Sequence, residues 1–305
     1  MIPPGSRATG GRPDRSGVDA LGIDIGGSSV KAALLRPDGS VETVESAPYR
    51  RPDREALRDA VRQAVGRFAP HAGAVGLCVP GRRGPAGDRI DLSVNVPGLA
   101  GWVFTDLVRD AAATARLAWV GSDAEAATLD ARLDHPPAGR VLGLALGTGV
   151  GACLIEDGRA VGIGSRGIGH FGQIDVGLIP GVAPPGPLAS DGGRNGLEAY
   201  LGARALEARL GPGARLAPDD PAVLALARAV RIALAVYVPD LVLVLGGVGL
   251  ALAPSADAIE RAVRTDLTGV APAGWRLAFG RSRFHAAAGA ARAALGGGQA
   301  GGVGG

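Results

Sequence analysis

Short apolar runs separated by polar segments set the pattern of this chain. The runs Leu21–Ile25, Val30–Leu35, Ala74–Val79 and Leu241–Leu245 each end at glycine, proline or a turn sequence. Their length and composition are typical of buried β-strands. A glycine-rich corner separates the first two runs, and the turn Arg36-Pro37-Asp38-Gly39 follows the second, so these two runs predict a hairpin.

The segments between the runs predict helices. Asp53 is a suitable N-cap, and the apolar residues after it recur with a helical period. These residues are Leu57, Val61, Ala64, Val65 and Phe68. A longer helix, rich in Ala, Val and Leu, is predicted from about Pro221 to Val236. Strands that alternate with helices indicate an α/β fold.

The plan of the opening segment recurs later in the chain. Leu142–Leu146 leads into the glycine-rich corner Gly147–Gly151, and Ala152–Ile155 then leads to the turn Asp157-Gly158. This order of strand, corner, strand and Asp-Gly turn repeats that of residues 21–39. The duplication predicts two related domains that face each other across a cleft.

Composition and charge narrow the class of protein. The chain is 47% hydrophobic and 20% charged, which is globular rather than disordered. Its net charge is +3 and its arginines are dispersed, so we expect no nucleic-acid partner. Cys78 and Cys153 lie in apolar runs and are expected to be buried. The residues from Met1 to Gly17 lack an apolar centre, and we expect a cytoplasmic protein without membrane contact.

Three glycine corners carry the candidate chemistry. In Asp24-Ile25-Gly26-Gly27-Ser28-Ser29, backbone N–H groups of a tight turn can approach phosphate oxygens, and Asp24 can hold a magnesium ion through water. A hairpin turn would explain this corner equally well. The second corner, Leu146–Gly151, favours a polyphosphate held from both sides of a cleft, and the third, Gly246-Gly247, closes another buried strand.

Asp123 has two interpretations at this point. It follows the apolar run Leu117–Val120, which predicts a strand. An Asp in that position can be the N-cap of the next helix, or it can be the general base of a phosphoryl transfer. The residues themselves favour neither interpretation.

Taken together, the motifs resemble those of the ROK family, which comprises bacterial sugar kinases and sugar-responsive repressors. The resemblance extends over about residues 20 to 292, and its motifs occur in the family's order. They are Asp24–Ser28, Pro80-Gly81, Asn95, Asp123, Leu146–Gly151, Gly169-His170, Glu198 and Leu245-Gly246-Gly247.

The resemblance implies an α/β, actin-like (ribonuclease H-like) two-domain ATPase fold with ATP, Mg²⁺ and a sugar in the interdomain cleft. Asp123 would be the catalytic base. The implied nucleotide-binding residues are Asp24, Gly26, Gly27, Ser28, Gly147, Thr148, Gly149, Gly246 and Gly247. The implied sugar-binding residues are Asn95, Ser122, Asp123, His170 and Glu198. We also expect a homodimer.

We predict the following division of the chain. A tail over residues 1–18 precedes a small domain over 19–121 that holds the first phosphate loop. A large domain over 122–292 holds the candidate base, the second phosphate loop and the adenosine-side corner. Residues 293–305 form a second, glycine-rich tail.

The sequence departs from its family at a zinc site. Most relatives have three cysteines and a histidine that bind structural zinc, but here the cysteine positions hold Ala189, Asp191 and Gly196. Three of four tetrahedral ligands are therefore missing, and we expect no structural zinc.

Two implied sugar contacts also differ. Ser122 replaces an Asn and Gly167 replaces a Glu, both of which act near the 3-position of glucose in the glucokinase-like members. Glu125, where relatives have Asn, adds a carboxylate close in sequence to the base. These changes suggest a 6-kinase for 3-amino-glucose (kanosamine), as in antibiotic pathways. An ordinary glucokinase or N-acetylhexosamine kinase is the alternative.

A repressor or a pseudokinase, neither of which is an enzyme, would leave other marks in the sequence. About twenty residues precede Asp24, so we expect no DNA-reading module of the kind that ROK repressors carry. A sugar-binding pseudokinase would be expected to lack Asp24, Asp123 or the Thr148 loop, all of which are present.

Overall fold

The computed structural model describes residues 17–163, 167–177, 187–188, 193–210, 216–217 and 219–296. The strands within these residues are β1 (Asp19–Ile25), β2 (Val30–Leu35), β3 (Val41–Glu45), β4 (Ala72–Cys78), β5 (Arg82–Arg83), β6 (Ile90–Leu92), β7 (Arg116–Gly121), β8 (Arg140–Leu146), β9 (Val150–Glu156), β10 (Arg159–Ala160), β11 (Leu241–Leu245) and β12 (Arg276–Phe279). The α-helices are α1 (Arg54–Val65), α2 (Phe104–Ala111), α3 (Asp123–Ala131), α4 (Leu197–Leu201), α5 (Ala203–Leu210), α6 (Pro221–Val236), α7 (Gly246–Leu252), α8 (Ala256–Thr265) and α9 (His285–Gly296).

Two five-stranded sheets of the same topology form the core. The first has the order β3-β2-β1-β4-β7 and the second the order β10-β9-β8-β11-β12. In each sheet the first three strands are antiparallel and the last two run parallel to the central strand. The hairpin and the internal repeat predicted from the sequence are therefore confirmed.

The helices begin where the sequence indicated. Asp53 caps α1 by accepting a hydrogen bond from the Ala56 N–H at 2.9 Å. The helix ends at Val65, so Phe68 belongs to the following turn, where it is buried, and not to the predicted helical face. The residue that follows the helix is Gly66, and glycine is a poor helix former, which favours the end of α1 at this point. The bounds of α6 are those predicted.

The C-terminal helix α9 packs against the first sheet and against α3. The approach is close because glycines face backbone on both sides. A Cβ at Gly22 would overlap the Ala287 carbonyl oxygen, and one at Gly289 would overlap the Ala126 carbonyl oxygen. The chain thus passes to the second sheet through α3 and returns through α9. The sequence-based division into domains stays a prediction.

Each sheet has its own apolar core, and a smaller core that includes Cys78, Cys153 and residues of α3 and α9 lies between them. Both cysteines are buried and free, as predicted. Among the described residues, no helix is long and apolar enough to cross a membrane.

Candidate active site

A cleft of about 880 Å³ lies where the two sheets face each other. Its size is that of a pocket for a small-molecule ligand. All three glycine corners line it, because β1, β8 and β11 each end at its wall. Twelve of the sequence-predicted site residues are among its lining residues, namely Asp24, Gly26, Gly27, Ser28, Asn95, Asp123, Gly147, Thr148, Gly149, Glu198, Gly246 and Gly247.

The corners meet one another at close range. A Cβ at Gly27 would lie 2.7 Å from the hydroxyl oxygen of Thr148, so the first two corners face each other directly. Gly246 has φ +82° and packs on the Leu146 backbone, which a side chain would not permit. By contrast, no atom lies within 4 Å of a Cβ built at Gly147 or Gly247. A phosphate can therefore approach the backbone at these two glycines.

Tyr49 supports the first corner from outside the cleft. Its hydroxyl donates to the Gly26 carbonyl at 2.7 Å, and its backbone N–H donates to the Ser28 carbonyl at 2.8 Å. Sequence reasoning missed this residue, since nothing in the local pattern indicates a contact across 23 positions.

Asp24 is the titratable group at the end of β1. Burial raises the pKa of Asp24 to about 6, the positive charge of Lys31 opposes that shift, and the carboxylates of Asp123 and Glu45 add to it. Lys31 Nζ lies 4.0 Å from Asp24 Oδ2. Lys31 was not among the site residues predicted from the sequence.

The magnesium ion and nucleotide implied by the resemblance fit these residues. The Asp24 carboxylate is a hard oxygen donor of the type that Mg²⁺ prefers, and it borders open backbone at the glycine corners. Within the described residues, no cluster of three or more Asp, Glu, His or Cys side chains could hold a metal ion. A metal at Asp24 would therefore take phosphate or water oxygens as its other ligands.

Asp123 is the first residue of α3, and the N-cap is Ser122, whose Oγ accepts from the Glu125 N–H at 3.1 Å. The N-cap interpretation of Asp123 is thus wrong, because the residue before it already fills that position. Burial raises the pKa of Asp123, while a hydrogen bond from the Ala124 N–H and the charge of Lys31 lower it. The carboxylate is a proton acceptor placed in the cleft.

Two implied sugar ligands also reach the cleft. Glu198 Oε2 accepts from the Val150 N–H at 3.1 Å, beside the second glycine corner. Asn95 Oδ1 accepts from Arg204 at 2.9 Å. Because the carbonyl oxygen of this amide is engaged, its NH₂ group is left to point elsewhere. Arg204 is a third residue that sequence reasoning did not find.

Some residues that the resemblance implies for the sugar and zinc sites are not among the described residues that line the cleft. Ser122 and His170 are exposed and, among the described residues, do not belong to its lining. Of the zinc-knuckle positions, Ala189 and Asp191 lie outside the described residues, and Gly196 precedes α4. Gly167 has φ +58°, with no atom within 4 Å of a Cβ built there.

Glu125 is not among the described residues that line the cleft. Its Oε2 lies 3.0 Å from a Cβ built at Gly121, and its charge interacts with Arg83. Burial raises the pKa of Glu125 and Arg83 lowers it. Glu125 is two residues from Asp123 on the same helix and is not among the described residues that line the cleft, so the structure gives no support to a Glu125 carboxylate at the sugar site.

Comparisons with known proteins agree with this architecture. A sequence model described as "ROK family" matches residues 20–220. No curated protein matches the sequence. The solved structures with the same fold include a ROK hexokinase from Thermus thermophilus, at 24% identity and a TM-score of 0.64, over 91% of this chain and 98% of that one.

Two further structures represent both branches of the family. A ROK glucokinase from Streptomyces griseus, solved with glucose and AMPPNP, has 23% identity and a TM-score of 0.68 over 90% of this chain and 99% of that one. A ROK transcriptional regulator, a homologue of the E. coli MLC protein, has 17% identity and a TM-score of 0.67 over 92% of this chain and 79% of that one. These likenesses confirm the predicted actin-like α/β fold, and the match over residues 20–220 shows that the chain belongs to the ROK family.

Proposed function

We propose that this chain is an ATP-dependent sugar kinase that phosphorylates the 6-hydroxyl of a glucose-like hexose. The observation that carries the proposal is the carboxylate of Asp123, which lines the same cleft as two mutually facing glycine corners. A sugar-responsive regulator needs a sugar site but has no use for a proton acceptor opposite phosphate loops.

The residues have the following roles in this proposal. Backbone N–H groups of the corners at Gly26–Ser28 and Gly147–Gly149 bind the phosphates. Asp123 takes the proton of the sugar hydroxyl as its oxygen forms a bond to the γ-phosphorus. The bond from that phosphorus to the oxygen shared with the β-phosphate breaks, and ADP leaves. Magnesium, when bound at Asp24, would neutralise part of the negative charge of the phosphates.

Asn95 and Glu198 orient the sugar. Glu198 borders both the cleft and the backbone of the second corner, so it can connect sugar position to phosphate position. The Asn95 amide, held through its oxygen by Arg204, presents N–H donors to sugar oxygens. His170 and Ser122 are proposed sugar ligands on the strength of the resemblance alone.

We further propose 3-amino-glucose as the preferred hexose, with glucose or an N-acetylhexosamine as the alternative. Ser122 Oγ already accepts a helix N–H and keeps its hydroxyl hydrogen for a sugar, whereas Gly167 has no side chain, so fewer polar groups are available near the 3-position than in the glucokinase-like relatives. Carboxylates outnumber permanent cations in the lining, with Asp24, Asp123, Glu198 and Glu207 against Lys31 and Arg283. An acidic cleft suits a cationic amine. Glu125 lends no support to this preference.

The test is sugar-dependent ADP release by the purified protein with Mg²⁺ and ATP. The panel contains glucose, 3-amino-glucose, N-acetylglucosamine and N-acetylmannosamine, and the Asp123→Asn variant is the control. Phosphorylation of at least one sugar at the 6-hydroxyl, lost in the variant, supports the proposal. Sugar binding without turnover on any panel member would indicate a pseudokinase or regulator instead.

A further inference from the structure

Lys31 is the only lysine in the sequence, where lysines and arginines together number 32. All the other basic side chains in this count are arginines. Lys31 lies on β2 and lines the cleft next to the first glycine corner. A single exception in such a place points to a requirement that arginine does not meet.

The ammonium of Lys31 lies close to the first glycine corner. Its Nζ lies 4.0 Å from Asp24 Oδ2 and 4.0 Å from Glu45 Oε1. It also lies 3.8 Å from a Cβ built at Gly26. The Lys31 side chain is 17% exposed, so the charge is largely removed from water yet open to the cleft.

Glu45 is fixed by other partners. Its Oε1 accepts from the Ser29 hydroxyl at 2.6 Å and from Arg283 at 2.8 Å. The carboxylate is therefore already satisfied without a hydrogen bond from Lys31. Its charge lies 4.0 Å from the ammonium and holds the ammonium by electrostatic attraction.

The ammonium has donors to spare. An ammonium carries three N–H donors, and both nearby carboxylate oxygens are at 4.0 Å, beyond hydrogen-bond distance. A purely structural ion pair would be served as well by arginine, whose planar fork matches a carboxylate. The compact ammonium keeps its donors available for phosphate oxygens that enter the cleft.

We propose that Lys31 is a further catalytic residue, whose ammonium binds oxygens of the transferred phosphoryl group. This inference rests on the proposed kinase function. The charge of the Lys31 ammonium stabilises the negative charge that accumulates on the γ-phosphoryl oxygens and on the oxygen that leaves with ADP.

The first test compares Lys31→Met and Lys31→Arg with the wild type. As a matched control, Arg36→Met removes a surface cation just beyond the same strand, where it pairs with Glu42. We expect Lys31→Met to lower kcat/KM for ATP by about 100-fold. The kcat/KM of Lys31→Arg should stay at least tenfold below that of the wild type. The kcat/KM of Arg36→Met should equal that of the wild type.

Binding separates this role from a structural one. Lys31→Met should weaken the affinity for AMPPNP·Mg²⁺ at least tenfold and leave that for AMP, which lacks the outer phosphates, unchanged. Equal weakening of both ligands, or a kcat/KM within threefold of the wild type, would overturn the proposal. Lys31→Arg keeps the charge and provides the same comparison if Lys31→Met does not fold.

Chemical labelling gives an independent readout on the unaltered protein. An amine-acetylating reagent can modify Lys31 and the α-amine alone, because no other lysine is present. AMPPNP·Mg²⁺ should slow acetylation of Lys31 relative to the α-amine, whereas glucose alone should not. Unchanged acetylation in the presence of saturating AMPPNP·Mg²⁺ would contradict the inference.

These outcomes distinguish the inference from the proposed function. If AMPPNP·Mg²⁺ binds through Lys31 but no hexose is phosphorylated, the proposed function fails and the phosphate contact stands. If a hexose is phosphorylated and Lys31→Met is as active as the wild type, the inference alone fails. Absence of AMPPNP·Mg²⁺ binding to the wild type would overturn both.

Discussion

His285 Nδ1 lies 2.7 Å from Asp130 Oδ2, and this contact joins α9 to α3, the helix that begins at the candidate base. The other ring nitrogen, Nε2, accepts backbone N–H groups of Arg281 and Ser282 at 3.1 and 3.2 Å. Nε2 must therefore be unprotonated, and Nδ1 donates to Asp130. Arg292 completes the cluster by donating to Asp130 at 2.6 Å. The cluster of His285, Asp130 and Arg292 holds the loop before α9 against the cleft.

Replacement of His285 by Ala should destabilise the protein by about 2 kcal/mol, because two backbone N–H groups and part of a buried carboxylate lose their partner. Burial alone would raise the pKa of Asp130, but hydrogen bonds from His285 and Arg292 lower it. His71→Ala removes an exposed histidine and is the control. Urea unfolding at pH 7.5 measures the free energy of unfolding of both variants. Equal stability of the two variants would show that the cluster contributes nothing.

Asp24 should make the metal-free protein less stable as the pH rises. Its pKa is about 6 in the folded state against an ordinary value of 3.8, so the folded state binds more protons between these values. The free energy of unfolding should fall by roughly 3 kcal/mol across this window, at 1.36 kcal/mol per pKa unit. Asp24→Asn should remove this dependence. Unfolding curves from pH 4 to 7 in a chelator provide the comparison, and parallel profiles for both proteins would refute it.

Asp123→Asn should lower kcat by about 10²–10⁴-fold, since the amide keeps the shape of the side chain but cannot accept the proton. The affinity for AMPPNP should change little, because the glycine corners are untouched. Initial rates and direct titration with AMPPNP measure the two effects. Retention of more than a tenth of the turnover would mean that Asp123 is not the base.

The sequence was sufficient for features that depend on local order. The strand and corner at Leu241–Gly247 and the helix Pro221–Val236 follow from periodicity and from glycine positions, and both are present. The contact of Arg204 with Asn95 spans 109 positions and depends on how the two sheets face each other, which no local pattern contains. The position of Glu125 relative to the cleft could not be predicted either, because it depends on how α3 packs between the two sheets, and the structure leaves Glu125 out of the described cleft lining.

The contact between Arg204 and Asn95 leads to a prediction about sugar binding. Arg204→Ala frees the Asn95 amide to rotate, which should raise KM for the hexose about tenfold, or ~1.4 kcal/mol, with little change in kcat. Arg159→Ala, on the exposed strand β10, is the control. Steady-state kinetics at saturating ATP decide the matter. A loss confined to kcat would assign Arg204 a different role.

The choice of sugar is the last prediction. Glucose meets Ser122, whose hydroxyl also caps a helix, and no side chain at Gly167, and a lost polar partner typically costs ~1–3 kcal/mol. A protonated 3-amine instead brings three donors and a positive charge into a cleft with more carboxylates than cations. We expect kcat/KM for 3-amino-glucose to exceed that for glucose at least tenfold. The two specificity constants, measured at saturating ATP and pH 7, settle the comparison. Equal or better use of glucose would exclude the aminosugar preference and leave a general hexokinase, because Asp123, Asn95 and Glu198 serve both sugars alike.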